Sequence, residues 1–286
     1  MKIATILPYK ENYTSSKAAA ASLWVSDFFK NSRLKKNNFI YGSTDTTDYL
    51  TTNYINIKVS NIKSKFSSST IQYCNNLIKK IKNNKFDIIE IHNRPLVFNY
   101  LKKHLNNQFI IYFHNDPLSM KGSKTVSERI NLLNDVEKIV FVSKWVQNRY
   151  FTGLDQKLLN KTEVIYPSIH KEKSVVKKDK KIVFVGKLNP SKGYDIYRDS
   201  IVRILNEFKD WKAFSIGDER RNKPVIDHQN HYELGYLTHK EVLKFLNKSE
   251  IAVVPSRWEE PFGRTALESS SRGCATIISN RGGLPE

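Results

Sequence analysis

A chain of 286 residues that is 40% hydrophobic, with 15 Phe, 14 Tyr and 4 Trp, carries enough apolar side chain for two domain cores, which excludes a disordered or fibrous chain. Its 47 Lys and Arg against 28 Asp and Glu leave a formal charge of +19, which excludes an acidic solvating chain and invites a polyanionic partner. The only two cysteines, Cys74 and Cys274, sit far apart in apolar surroundings and read as buried thiols rather than as a disulfide or a zinc pair.

The opening "MKIATILPYKEN" has too short an apolar run before Pro8 and Lys10 for a signal peptide, and no run reaches the roughly 18 apolar residues of a membrane span, so a cytoplasmic chain is expected. "KIATILP" reads as a strand, "SKAAAASLWVSDFFKNS" as a helix and "NNFIYGS" as a second strand. In "IQYCNNLIKKIK", Ile71, Cys74, Leu77, Ile78 and Ile81 recur at helical spacing beside Lys79, Lys80 and Lys82. Residues 1–170 hold 25 basic and 12 acidic residues, so the positive excess is concentrated in the front half. Such a basic amphipathic helix admits an anionic membrane surface as partner, peripheral on the inner face of the cytoplasmic membrane. Nucleic acid is the other polyanion and is not expected as a partner; solvated faces rich in Lys and Asn are the plain structural reading.

"FDIIEIH", "QFIIYFH" and "KIVFVS" are further short runs of Ile, Val and Phe with helical segments between them, the pattern of a parallel sheet. The charged stretch 171–180 then separates residues 1–170 from 181–286 as a linker. Alternation resumes with "KIVFVG", a helix from about Tyr194, "WKAFSIGD", the helix "THKEVLKFLNKS", "EIAVVPS", the helix "GRTALESSSRG" and "ATIIS". The expected fold class is α/β, with two Rossmann-like doubly wound parallel-sheet domains whose strand ends face a cleft.

Two segments stand at expected strand ends. "VFVGKLNPSKGYD" sets Lys187 just past a strand and Lys192 at the mouth of a helix, where cations and free helix amides suit a phosphate. The structural alternative is two solvated lysines beside a turn. "SRWEEPFGRTALE" follows the run "IAVVP" and brackets a turn and a helix start with Glu260 and Glu268. Eight helical residues rise roughly 12 Å, about the reach from sugar ring to ribose in one nucleotide-sugar. A carboxylate accepts from paired hydroxyls, and the Phe262 and Gly263 amides could add donors at the helix start. An acidic residue placed to suit a helix dipole is the structural alternative.

"VGKLNPSKG", "VVPSRWEEPFGRTALESSSRG" and "NRGGLPE", in that order, resemble the retaining glycosyltransferases of glycosyltransferase family 4, which have the GT-B fold. The Glu-x7-Glu pair is that family's hallmark. The resemblance is strong over residues 180–286; in the front half, "IYFHNDPLSMKGSKTVSERINLL" and "KIVFVSKWVQNRYF" resemble bacterial lipopolysaccharide-core and cell-surface polysaccharide members. It implies that Lys187, where the family usually has Arg, and Lys192 neutralise the donor diphosphate, with Gly186 beside them. It implies that Glu260 holds the transferred sugar, that Glu268 takes the ribose diol, and that His114 meets the sugar from the first domain. Tyr236, in "ELGYL", lies where the base would be read by backbone groups. His92, Asn93 and Arg94 end another front-domain strand and are placed, with Lys17, on the acceptor side.

This chain departs from the family in having "YKENYTSSKAAAAS" where a Gly-Gly loop is usual, and "YPSI" where an Asn-Gly is usual. The family also continues for another strand and several helices beyond the equivalent of Glu286, so the second domain is expected to be incomplete. The resemblance implies a hexosyltransferase acting with retention on a nucleotide-sugar, UDP-sugar first and GDP- or ADP-sugar next, toward a glycan or glycolipid acceptor, with no cofactor. No Asp-x-Asp string is present, which agrees with a metal-independent reaction and no metal site. A sugar-nucleotide epimerase or phosphorylase of the same fold, and a basic nucleic-acid- or membrane-binding protein without transferase activity, stand as alternatives.

Overall fold

In the computed structural model, residues 1–59, 68–170, 176–219 and 224–286 are described, and the chain divides into two compact units, Met1–Pro167 and Ser168–Glu286. Of the stretch read as a linker, residues 171–175 lie outside the described residues; the first strand of the second unit begins at Asp179.

In the first unit, β1 (Ile3–Ile6), β2 (Asn38–Gly42), β3 (Tyr54–Asn56), β4 (Ile88–His92), β5 (Gln108–Phe113), β6 (Lys138–Phe141) and β7 (Thr162–Val164) form one sheet in the order β3-β2-β1-β4-β5-β6-β7. Every pairing is parallel. The apolar runs of its central strands are buried, among them Ile3, Ala4, Ile6, Ile89, Ile91, Ile111, Phe113, Ile139 and Phe141, as a sheet covered on both faces requires. The short strand β3 lies in "TTNYINIK", where no strand is expected; Tyr54 stacks on Tyr13 at 4.9 Å and seals that edge.

The first helix, α1 (Ala20–Asn31), starts four residues later than Ser16, where the alanine-rich run begins to look helical. The reason is tertiary. Ser15 N–H donates to the Asp48 carbonyl at 2.8 Å, Ser16 N–H to the Asp48 carboxylate at 2.8 Å, and Thr14 bridges Tyr49, which keeps the chain out of the helix against alanine's propensity. In α2 (Ser69–Lys82), Tyr73, Cys74, Leu77, Ile78 and Ile81 are buried in the core while Lys79, Lys80 and Lys82 are exposed. The apolar stripe from Cys74 to Ile81 is therefore spent on the core, while Ile71 at its start stays exposed beside the lysine-bearing face. Three more helices, α3 (Pro95–Leu101), α4 (Val126–Asp135) and α5 (Lys144–Phe151), link the later strands. Thr125 and Glu128 close a capping box at the start of α4.

The second unit has β8 (Asp179–Val185), β9 (Lys212–Ile216), β10 (His231–Gly235), β11 (Ser249–Val254) and β12 (Ala275–Ile278) in the parallel order β10-β9-β8-β11-β12. Three helices, α6 (Tyr194–Glu207), α7 (His239–Lys248) and α8 (Arg264–Ser271), connect them. Phe184, Tyr194, Tyr197, Ile201 and Leu205 form one core cluster, and Val183, Phe214, Ile216, Val242 and Leu246 another. Alternate residues of β8 feed the two clusters, the period-two pattern of a strand.

Both units are thus Rossmann-like doubly wound sheets. In each, the strand order reverses beside the first strand, between β1 and β4 and between β8 and β11. The crevice at the carboxyl ends of those neighbouring strands is where such sheets take ligands. Cys74 and Cys274 are free and buried, and burial pushes the Cys74 thiol up to about 11. Among the described residues, no helix is long and apolar enough to cross a membrane.

Candidate functional site

The loop leaving β8 passes Gly186 and the exposed Lys187, then makes a single 3-10 turn, Pro190–Lys192, before α6. Asn189 organises that turn: its side chain accepts from Lys192 N–H, and its carbonyl accepts from Tyr194 N–H. The loop leaving β11 lies directly against it. The Ser191 carbonyl accepts from Arg257 N–H at 3.0 Å, Trp258 N–H at 2.9 Å and the Ser256 hydroxyl at 3.3 Å. Across this seam the Lys192 ammonium meets the Glu260 carboxylate at 2.5 Å, and the Ser256 hydroxyl donates to the same oxygen at 3.0 Å. The two residues that the sequence places 68 positions apart are one ion pair, with the Glu260 side chain only 12% exposed.

The expectation of free amides at the start of α6 needs correcting. The Gly193 and Tyr194 amides are taken by the Pro190 and Asn189 carbonyls, and Asp195 occupies the first turn, bound to Arg257 at 2.6 Å. An anion arriving here meets Lys187 and Lys192, with these two amides already taken. Lys187 has no carboxylate partner among the described residues.

Glu268 is buried, and its Oε1 accepts both from Arg264 Nε at 2.7 Å and from His239 Nε2 at 2.9 Å. With one oxygen doubly bonded, Oε2 is left to accept from something else. The Glu259 carboxylate accepts from Gly282 N–H at 2.6 Å and from Arg281 at 3.1 Å, while Gly283 N–H donates to the Glu260 carbonyl at 2.7 Å. The "NRGGLPE" segment is therefore a clasp over the turn that carries Glu260. A side chain on Gly282 would stand 2.2 Å from the Glu260 carbonyl, and one on Gly263, the residue before α8, would strike Leu284 at 2.1 Å. Phe262 is half-buried in that turn.

Arg264, His239, Ser256 and Glu259 escaped the sequence reading. Arg264 stands one helical turn before Glu268, a spacing that could have revealed it. His239 is on another helix, 29 positions away, and nothing local signals it. Gly186, Gly217 and Gly235 end or follow β8, β9 and β10 and interlock by their backbones: Gly186 N–H donates to Ile216, and Gly217 N–H to Gly235. Tyr236 follows this floor with its side chain 56% exposed.

In the first unit, the end of β4 turns through Asn93 and Arg94, both left-handed at φ 55° and 59°. The third non-glycine residue with positive φ, Lys10 at 62°, follows neighbouring β1, so the backbone strain among the described residues gathers at this switch point. His92 is buried, its ring stacked on Tyr112 with centroids 4.5 Å apart. Its Nδ1 lies 2.8 Å from His114 Nε2, and the Asn93 side chain accepts from His114 N–H at 2.8 Å. Arg94 is exposed beside Glu11, whose carboxyl is raised by burial with Arg94 opposing; Lys17 is exposed. Arg149 holds the Asp116 carboxylate through Nε at 3.1 Å and Nη2 at 2.9 Å and so anchors the His-Asn-Asp-Pro turn. No group of three or more potential metal ligands occurs among the described residues.

Burial lowers His114 from 6.5 to about 3, because the imidazolium loses its hydration. The folded state then binds fewer protons than the unfolded one below pH 6.5. The stabilisation is fully present above pH 6.5 and is lost as pH falls from 6.5 toward 3. Urea unfolding should show about 2 kcal/mol less stability at pH 5 than at pH 7 from this ring, and His114→Gln should remove that part of the slope.

Residues 165–286 match the family model of glycosyl transferases group 1. An uncharacterized glycosyltransferase of Methanocaldococcus jannaschii is 32% identical over 272 residues, covering 89% of this chain and 74% of the relative. Spore coat protein SA of Bacillus subtilis is 26% identical over 242 residues, covering 72% of this chain and 63% of that one. With several curated relatives the match spans only 59 to 64% of their length. Among solved structures, Anabaena HepE in complex with UDP-glucose superposes with a TM-score of 0.72 at 14% identity, covering 100% of this chain and 82% of that one. The apo form of the lipopolysaccharide outer core galactosyltransferase WaaB gives 0.68 at 17% identity, again covering 100% and 82%. At these identities the structures speak for the fold, two Rossmann-like units of the GT-B kind.

Proposed function

The chain belongs to the group 1 glycosyltransferases, and from that premise we propose that it moves a hexose from a nucleotide-sugar to an acceptor hydroxyl with retention and without a metal ion. UDP-sugar is the donor of choice, in line with the UDP-glucose held by HepE, and GDP- and ADP-sugars follow. A glycan or glycolipid of lipopolysaccharide or other cell-surface polymer synthesis is the acceptor, reached on the cytoplasmic side, with the basic surface of the first unit available to an anionic membrane.

The observation that carries the reading is the Lys192–Glu260 ion pair at the β8/β11 switch point, with Glu268 held farther along the same segment. A diphosphate is the stronger anion. On arrival it replaces Glu260 as the partner of Lys192, with Lys187 beside it, and frees the Glu260 carboxylate for hydroxyls of the sugar. As the bond from the anomeric carbon to the phosphate oxygen breaks, both electrons leave with the diphosphate, and the two ammonium groups stabilise that charge. The acceptor oxygen bonds to the same face of the sugar, and its proton passes to the departing phosphate. Glu268 Oε2 takes the ribose diol, since Oε1 is already occupied by Arg264 and His239.

Thermal unfolding of the chain with UDP, GDP and ADP tests the donor site. A nucleotide at 100 times its dissociation constant adds about 2.7 kcal/mol; no shift with any of them would sink the reading. Glu260→Gln should lower turnover roughly 100-fold, the effect of losing one group that acts on the transition state. Its affinity for free UDP should be unchanged or tighter, because the variant no longer competes for Lys192. Equal losses in turnover and UDP affinity would mean that Glu260 does not act by holding the transferred sugar.

A further inference from the structure

The two histidines of the first unit carry an inference that rests on the transferase reading and deepens it. His92 Nδ1 and His114 Nε2 are 2.8 Å apart, a hydrogen bond in which one nitrogen must donate and the other accept. Burial lowers the proton affinity of both rings, so at neutral pH each holds a single N–H. Two assignments remain. If His114 Nε2 donates, the His92 proton sits on Nε2, a buried atom without a hydrogen-bond partner among the described residues. If His92 Nδ1 donates, Nε2 of His92 is a bare lone pair. An orphaned buried N–H is rarer and costlier than an acceptor lone pair left unused, so the second assignment is favoured.

We propose that His92 is a positioning residue that fixes the tautomer of His114, so that His114 carries its proton on Nδ1 and presents a hydrogen-bond donor suited to a carbohydrate oxygen. The surroundings hold both rings in place for this. Tyr112 stacks on His92 at 9° between planes, Trp24 meets His114 edge-on at 5.3 Å, and Asn93 fixes the His114 backbone. His114 Nδ1 has no partner among the described residues. In this state His114 polarises or orients a hydroxyl and does not act as a proton acceptor through Nε2, which His92 already occupies.

The test is the two-bond nitrogen–proton correlation of the imidazole nitrogens in the 15N-labelled 286-residue chain, with the His92 and His114 signals assigned by substitution. Both rings should show a protonated Nδ1 and a bare Nε2. In His92→Asn, whose side-chain amide can donate from the same place, His114 should keep its tautomer; in His92→Leu it should lose it and show an average of both forms. A proton on His114 Nε2 in the unaltered chain, or an unchanged tautomer in His92→Leu, would overturn the proposal. If His92→Leu does not fold, the spectrum of the unaltered chain still decides. Nucleotide binding is measured on the same sample: the assigned tautomer without any nucleotide binding strikes the transferase reading, whereas nucleotide binding with His114 protonated on Nε2 strikes this assignment alone.

Discussion

Gly193→Ala is expected to destabilise the second unit by about 4 kcal/mol and to abolish nucleotide binding. Gly193 links the Lys192 turn to α6 at φ 73°, and a β-carbon there would stand 1.8 Å from the Pro255 carbonyl oxygen. The left-handed backbone costs alanine roughly 1–2 kcal/mol by itself. The collision adds more, since its partner is backbone and cannot rotate away. Relief requires the two loops to part, which breaks the bonds from Arg257, Trp258 and Ser256 to the Ser191 carbonyl and separates Lys192 from Glu260. Gly235→Ala is the control: its φ of 67° is similar, but nothing lies within 4 Å of the added carbon. It should lose only the backbone term, about 1 kcal/mol. Thermal unfolding should separate the two variants by roughly 10 °C or more; similar midpoints would show that the close approach is not what demands glycine at 193.

Arg129→Met should destabilise the first unit by about 4 kcal/mol. Arg129 is 2% exposed and makes no ion pair with a carboxylate among the described residues. Its guanidinium instead donates to the carbonyls of Ser123 at 3.2 Å, Lys124 at 2.7 Å and Thr152 at 2.6 Å, and its own carbonyl accepts from Tyr150 at 2.7 Å. It ties the loop between β5 and α4 to the end of α5. Burial lowers the pKa of the guanidinium, yet arginine stays protonated in proteins. Methionine fills similar space with no donor and leaves those carbonyls to be satisfied by water that must enter, at roughly 1–3 kcal/mol each. Urea unfolding measures the difference. A variant within about 1 kcal/mol of the unaltered chain would mean that desolvation of the buried charge had offset its bonds, as happens for some buried ion pairs.

The alternation of buried Ile, Val and Phe runs with helical spacing was legible in the sequence, because a parallel sheet covered on both faces leaves no other choice of residue for its central strands. Strands at the edges were harder. The polar β3 owes its place to the ladder with β2 and to the Tyr13–Tyr54 stack, neither of which is local. Likewise residues 15–19 stay out of α1 because Asp48, more than thirty positions on, binds Ser15 and Ser16. In α2 the period was right, but a hydrophobic stripe looks the same whether a sheet or a membrane covers it; the packing of Tyr73, Cys74, Leu77 and Ile81 gives the stripe to the sheet.

The sequence by itself determined the fold class and the kinship with glycosyltransferases, since periodicity and the order of short motifs are properties of the chain. It also marked Lys192, Glu260 and Glu268, whose chemistry stands out in segments that follow apolar strands. Only the tertiary structure decided what those groups touch: that Lys192 and Glu260 are one ion pair, that His239 and Arg264 share an oxygen of Glu268, and that His92 is buried against His114. Such contacts depend on which strand ends lie side by side, and strand order is fixed by crossovers and core packing over distances that local pattern does not encode.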